Sequence, residues 1–212
     1  MEKRKCLLAI LKIIILCYFF GFLIAMLLIS VSNSKFIVYL ISPILNVILL
    51  TFLALQEKKK AFGLWDFSGK LNWKIVVGSV LMGCVLYGVG LLFNELFHIP
   101  IEHQNFDIAY FFLQICTSVF LAAFIEELFC RKFVITSMEE SGFPPIVVLL
   151  FSSILFYLGH VNFFVLDFHP IETFIIGVIL FFLYTKTREI RYCMIVHATG
   201  NLLAIIYQTW IV

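Results

Sequence analysis

The sequence predicts an all-α membrane protein, a polytopic bundle of about seven transmembrane helices with a cytoplasmic N-terminus. Of its 212 residues 63% are hydrophobic and 13% charged, and the mean hydropathy is +1.08. These values exclude an ordinary soluble globular domain. Apolar runs close to the roughly 20 residues that a spanning helix needs recur along the whole chain. The basic residues cluster at the ends of these runs, as in polytopic membrane proteins.

Turn signals divide the apolar runs into helices. Ser32 to Ser34, Gly142 to Pro145 and Asp167 to Pro170 combine helix breakers with residues that bond their own backbone. The first run follows Lys3, Arg4 and Lys5 but is too long for the apolar region of a signal peptide, which favours an uncleaved first span. The predicted spans are 6–31, 36–55, 75–95, 108–135, 144–165, 171–186 and 193–212.

The positions of the basic residues predict the orientation. With the N-terminus inside, fourteen of the fifteen Lys and Arg residues lie at or near the inner face, and Lys35 alone lies outside. This distribution follows the positive-inside rule.

The chain divides into two parts by motif content. Residues 1–107 hold three predicted spans and a basic cytoplasmic loop without a motif, whereas residues 108–212 hold every candidate for chemistry. The six cysteines lack the spacing of a zinc-thiolate site or a disulfide framework. No Gly-rich phosphate loop or nucleic-acid motif occurs, so the lipid bilayer is an expected partner and nucleic acid is not.

Glu126 and Glu127 are the most informative residues, because charges at lipid depth are expensive and mark functional sites. On a helix, Glu127 and Arg131 are four residues apart and can pair directly. Glu126 is rotated by about 100° from Glu127 and faces elsewhere. We therefore interpret Glu127 with Arg131 as an orienting or structural ion pair and Glu126 as a candidate catalytic group.

Two histidines lie in later apolar runs. If the fourth helix continues to the turn at Gly142, Glu126 lies sixteen residues before that turn and His160 eighteen after it. At 1.5 Å per residue the two are level to within about 3 Å. His197 and Asn201 share one face of the last helix, but the same count fits the depth of His197 less well, and helix tilt would have to absorb the difference.

These residue types suit peptide-bond hydrolysis by an activated water. Glu126 is a candidate base, His160 can orient the water, and His197 and Asn201 can donate hydrogen bonds to the oxyanion. Glu126, His160 and His197 are also possible zinc ligands. The residues alone leave the metal-free and zinc-dependent routes open. Packing of each polar residue against neighbouring helices is the non-functional alternative.

Three ordered motifs resemble those of the CAAX protease and bacteriocin-processing family. Glu126-Glu127-Leu-Phe-Cys-Arg131 is similar to EExxxR, Phe156-Tyr-Leu-Gly-His160 to FxxxH, and His197-Ala-Thr-Gly-Asn201 to HxxxN. The resemblance implies an intramembrane endopeptidase with its site toward the cytoplasmic side, in which Glu126 and His160 activate water and His197 with Asn201 serves the oxyanion. It also implies that Phe156, the first residue of its motif, has an orienting or structural role.

The short chain resembles the bacterial members linked to bacteriocin maturation or self-immunity, which predicts a bacterial cell membrane. Family members have been discussed both as metalloproteases and as metal-independent glutamate proteases. A non-catalytic immunity or peptide-binding membrane protein is the alternative of a different class.

Overall fold

The computed structural model describes residues 2–31, 35–60, 63–99, 107–160 and 172–210, and within the first two helices it describes the side chains of 2–16, 19 and 44–59. These residues form seven helices and no strand, which confirms the all-α prediction. The predicted turns at 32–34 and 167–170 and the end of the predicted fifth span lie outside the described residues. The helices are α1 Glu2–Val31, α2 Lys35–Lys59, α3 Trp73–Leu96, α4 Ile108–Glu140, α5 Pro145–His160, α6 Glu172–Thr187 and α7 Ile190–Trp210.

Three of the described helices are long and apolar enough to cross a membrane, namely α3, α4 and α7. The prediction of seven crossings is therefore supported only in part. Among the described residues α5 is apolar but shorter, with 16 residues. The 33 residues of α4 extend over about 50 Å, so this helix is longer than the roughly 30 Å hydrocarbon core.

Local sequence explains where the central helices begin and end. Asn72 and Asp107 accept hydrogen bonds from the Lys74 and Tyr110 amides at the first turns of α3 and α4, the role for which Asn and Asp are favoured. The helix α4 ends where Gly142 adopts φ 74°, a conformation that suits Gly after a helix. The helix therefore runs past the predicted end at residue 135 and reaches the Gly142 turn.

The segment between α2 and α3 is fixed to the last third of α4 and to the first turn of α7. The Lys132 ammonium donates to the Asp66 carbonyl at 2.8 Å, and the Arg191 guanidinium donates to the Gly69 carbonyl. Leu64 in this segment is fully buried. Because these bonds join neighbouring residues of one segment, Lys132 and Arg191 lie at a similar depth.

Candidate active site

Two turns of π-helix flank the acidic pair of α4. Residues Ile115–Ala122 and Leu128–Phe133 are π-helical, and Ala123–Glu127 between them is α-helical. π-Helical turns leave the regular hydrogen-bond ladder and occur frequently at functional sites. No sequence pattern in this run predicted them.

Glu127 is sealed inside the protein between a guanidinium and an imidazole. Its Oε2 lies 3.1 Å from Arg131 Nε, and both side chains have no exposed surface. The contact is chiefly electrostatic, because in the described part of the chain neither atom has a well-aligned hydrogen bond. The Glu127 Oε1 accepts a hydrogen bond from His197 Nδ1 at 3.0 Å. Glu127 is thus occupied on both oxygens.

Glu126 faces a different direction from Glu127 and approaches His160. Its Oε2 lies 3.8 Å from His160 Nε2, and each of the two side chains is 28% exposed. The Nδ1 of His160 contacts the Phe156 carbonyl at 2.8 Å, and since a carbonyl only accepts, Nδ1 carries the proton. In neutral His160 the Nε2 lone pair is therefore directed toward the Glu126 side. The hairpin register predicted from sequence brought these two residues level.

The ring of Phe156 lies between polar side chains of the site. The Arg131 guanidinium carbon lies 4.2 Å from its ring centroid, and the rings of His160 and His197 lie 4.6 and 5.3 Å away. A cation over an aromatic face is stabilised by the ring quadrupole. The orienting role predicted for Phe156 thus has a geometric basis in its contacts with three of the polar groups.

His197 has a second partner that was not predicted from the sequence. Its Nδ1 bonds Glu127, while the same imidazole lies in the cluster with Glu126 and His160. The depth of His197 also does not require an unusual tilt of α7. The reason is that α7 begins at the level of Lys132, not at the level of the Gly142 turn. Six residues separate Lys132 from Glu126 and Arg191 from His197, so the two side chains reach the same level.

Asn201 reaches the neighbouring helix. Its Nδ2 donates to the Ser118 carbonyl at 2.7 Å, an acceptor within the first π-helical turn of α4. One of its two amide hydrogens is therefore used for helix contact, and the other is left for a ligand. Packing against the neighbouring helix, the non-functional alternative, thus accounts for one of the two amide hydrogens of Asn201.

Two cavities lie on either side of Phe156. The first, of about 210 Å³, is largely apolar, and Glu126 lines it together with residues of α1, α2 and α5. The second, of about 270 Å³, is more polar and is lined by His160, His197 and Asn201 with residues of α3 and α6. The proposed water-activating pair therefore lies where an apolar and a polar compartment approach each other.

The cluster has the composition of a catalytic zinc site. Glu126, His160 and His197 each offer one ligand atom within 4.8 Å of the other two. Both histidines have Nδ1 engaged, by the Phe156 carbonyl and by the Glu127 carboxylate. Such second partners orient metal-binding imidazoles and leave Nε2 for the ion. Two imidazoles and one carboxylate fit a catalytic zinc with one open position.

Comparison with known protein families agrees with the motifs. Residues 108–203 match the model of the family described as type II CAAX prenyl endopeptidase, Rce1-like. All three motifs lie inside the matched residues, so the match supports the family resemblance that these motifs carry. It implies intramembrane endopeptidase activity of the CAAX type. With the three apolar helices, it also identifies an integral membrane protein. No curated protein and no solved structure matches the chain significantly.

Proposed function

We propose that the protein hydrolyses a peptide bond of a membrane-associated peptide or protein, using a water held between Glu126 and His160. The observation that carries the proposal is the 3.8 Å approach of Glu126 Oε2 to His160 Nε2 at the junction of the two cavities. A general base must reach its water within hydrogen-bond distance, and one water in front of this pair meets both atoms.

The proposed reaction keeps all protons within the site. Glu126 takes a proton as the water oxygen attacks the carbonyl carbon, and the remaining Asn201 amide hydrogen donates to the oxyanion. A protonated His197, held at Nδ1 by Glu127, donates from Nε2 to the same oxygen. Glu126 then gives its proton to the leaving nitrogen as the carbon–nitrogen bond breaks. Preorganised donors of this kind usually supply the largest part of the rate enhancement.

Zinc is compatible with the same residues. Glu126, His160 and His197 would hold the ion, which when bound would lower the pKa of a water and polarise the substrate carbonyl. In either route Glu127 and Arg131 fix the imidazole of His197, and Phe156 separates the buried charges from the water.

We further propose that the helices cross a bacterial cell membrane with the N-terminus in the cytoplasm. Six residues separate Glu126 from the inner Lys132, which corresponds to about 9 Å of helix. The site would thus open toward the cytoplasmic side. Bacteriocin maturation or self-immunity stays a prediction from the resemblance.

Replacing Glu126 tests the proposal. In lipid nanodiscs, Glu126→Gln should lower the rate of cleavage of a quenched fluorescent peptide by 10²- to 10⁴-fold, because the base is removed and the shape kept. Glu140→Gln is the matched control, since Glu140 is an exposed residue of the same helix that pairs with Lys60. Cleavage by Glu126→Gln at the wild-type rate would refute the proposal.

A cell-based assay separates the non-catalytic alternative. An immunity phenotype that survives Glu126→Gln combined with His160→Ala, at normal protein levels, would favour a peptide-binding membrane protein without catalysis.

A further inference from the structure

The apolar cavity contains a polar residue that the family motifs do not include. Its wall is formed by aliphatic and aromatic side chains of α1, α2, α4 and α5, among them Ile13, Leu49 and Leu155. Asn46 of α2 and Glu126 of α4 are the two residues in this lining with hydrogen-bonding side chains other than a thiol. Asn46 lies in the half of the chain that the family match does not cover.

Asn46 is 7% exposed yet has no side-chain hydrogen bond to any other residue that the structure describes. Its carboxamide atoms are also absent from the fully enclosed unpaired atoms of this part of the chain. Asn46 is one of the residues that line the cavity, so its carboxamide is accessible from that space. A largely buried amide without a partner costs stability, and a ligand in the cavity would supply the missing partner.

We propose that Asn46 is a substrate-positioning residue, whose carboxamide hydrogen-bonds the backbone of an extended apolar polypeptide segment lying in this cavity. The proposal rests on the proposed peptidase function. A peptide that enters a water-poor cavity must find new partners for its N–H and C=O groups. The Asn side chain offers two donors and one acceptor, which suits a peptide unit better than a hydroxyl or a single charge would.

The position of the cavity gives this contact a consequence for catalysis. Asn46 and Glu126 line the same 210 Å³ space, so a peptide held by Asn46 is presented to Glu126. The polar cavity beyond Phe156 is then the side from which water reaches the site. The N-terminal helices α1 and α2 thus supply the substrate side, and the motif-bearing helices supply the chemistry.

Asn46→Leu, which keeps a similar volume, tests the proposal with a quenched apolar peptide that the wild-type protein cleaves in nanodiscs. We expect kcat/KM to fall about 10- to 100-fold, mainly through KM, because the bound peptide loses a partner in apolar surroundings. The melting temperature should stay equal or rise, since Leu removes an unpaired amide. Asn46→Gln should recover part of the activity. Thr51→Val is the matched control, because Thr51 is exposed on α2 and bonds the Val47 carbonyl of its own helix.

Backbone substitution in the substrate identifies the contact. N-methylation of the peptide, scanned along its apolar segment, should produce one position that slows the wild-type protein but does not slow Asn46→Leu further. The absence of such a position, unchanged kcat/KM in Asn46→Leu, or an activity loss matched by a fall in melting temperature would each overturn the proposal. Absence of cleavage by the wild-type protein would refute the peptidase function, and cleavage by Glu126→Gln at the wild-type rate would refute the role of Glu126 as the base. An inactive Glu126→Gln with a fully active Asn46→Leu would overturn this inference alone.

Discussion

The two neighbouring glutamates of α4 belong to two different environments within one site. Glu127, Arg131 and His197 form a closed side, in which the first two residues have no exposed surface and the third is 7% exposed. Glu126 and His160 form an open side, where each side chain is 28% exposed beside a cavity. One helix thus carries a carboxylate whose oxygens are both engaged and a carboxylate that is free to react.

This difference indicates how the charge of Glu126, the proposed base, would be held at membrane depth. On the closed side Glu127 pairs with Arg131, and this pair fixes His197 through Nδ1 and Phe156 through the Arg131 contact. The open side then needs only short contacts with these fixed groups to be oriented. We therefore expect the closed side to determine stability and the open side to determine rate.

Glu127→Gln should give the largest change in stability. It keeps the shape but leaves the Arg131 guanidinium buried without its counter-charge, and breaking a buried pair in this way costs about 3–5 kcal/mol. Thermal unfolding in detergent should show a fall in melting temperature on the order of 10 °C. Glu126→Gln should melt close to the wild-type temperature.

A double variant checks that the uncompensated charge is the cause. Glu127→Gln with Arg131→Met removes both charges and should recover much of the lost stability, because buried pairs can often be replaced by apolar groups at little cost. Equal losses in the single and double variants would contradict the division into a closed and an open side.

Zinc should have the next largest effect on stability, by binding where the open side meets His197 of the closed side. If Glu126, His160 and His197 bind the ion, zinc at about 100 times its dissociation constant stabilises the folded protein by about 2.7 kcal/mol. The melting temperature should rise with zinc and fall with a chelator, and His160→Ala should abolish this response. His98→Ala, at an exposed position after α3, should respond as the wild type does. Full activity and an unchanged melting temperature in metal-free protein would exclude the zinc route.

The sequence predicted the local geometry of the site better than its long-range geometry. The levels of Glu126 and His160 followed from counting along one hairpin, because α4, the Gly142 turn and α5 are consecutive. The depth of His197 did not, since it depends on where α7 begins relative to Lys132. That relation is fixed by bonds from Lys132 and Arg191 to the segment that contains Asp66 and Gly69.

Two other features had little or no signal in the sequence. The π-helical segments on either side of Glu126 have no residue pattern that distinguishes them from an α-helix. Asn46 was missed because a single amide in an apolar run is normal for a packed transmembrane helix. The one available signal was that it is an Asn within the second apolar run, which contains few other polar side chains.

Gly83→Ala should have a smaller effect on stability and on rate. It would shift α3 relative to α7, the helix that carries His197. A Cβ at Gly83 of α3 would lie 2.7 Å from the Val196 carbonyl oxygen and 2.7 Å from Thr199 Cβ of α7. Both contacts are closer than real Cβ atoms allow, so α3 and α7 must separate, at a cost of about 1–3 kcal/mol. His197 lies next to Val196, so the shift should also lower kcat.

Gly78→Ala is the control, because nothing lies within 4 Å of its added Cβ and Ala favours the helix. If Gly83→Ala and Gly78→Ala have the same melting temperature and cleavage rate, the position of His197 does not depend on the contact between α3 and α7. The closed side would then be held by contacts between α4 and α7 alone.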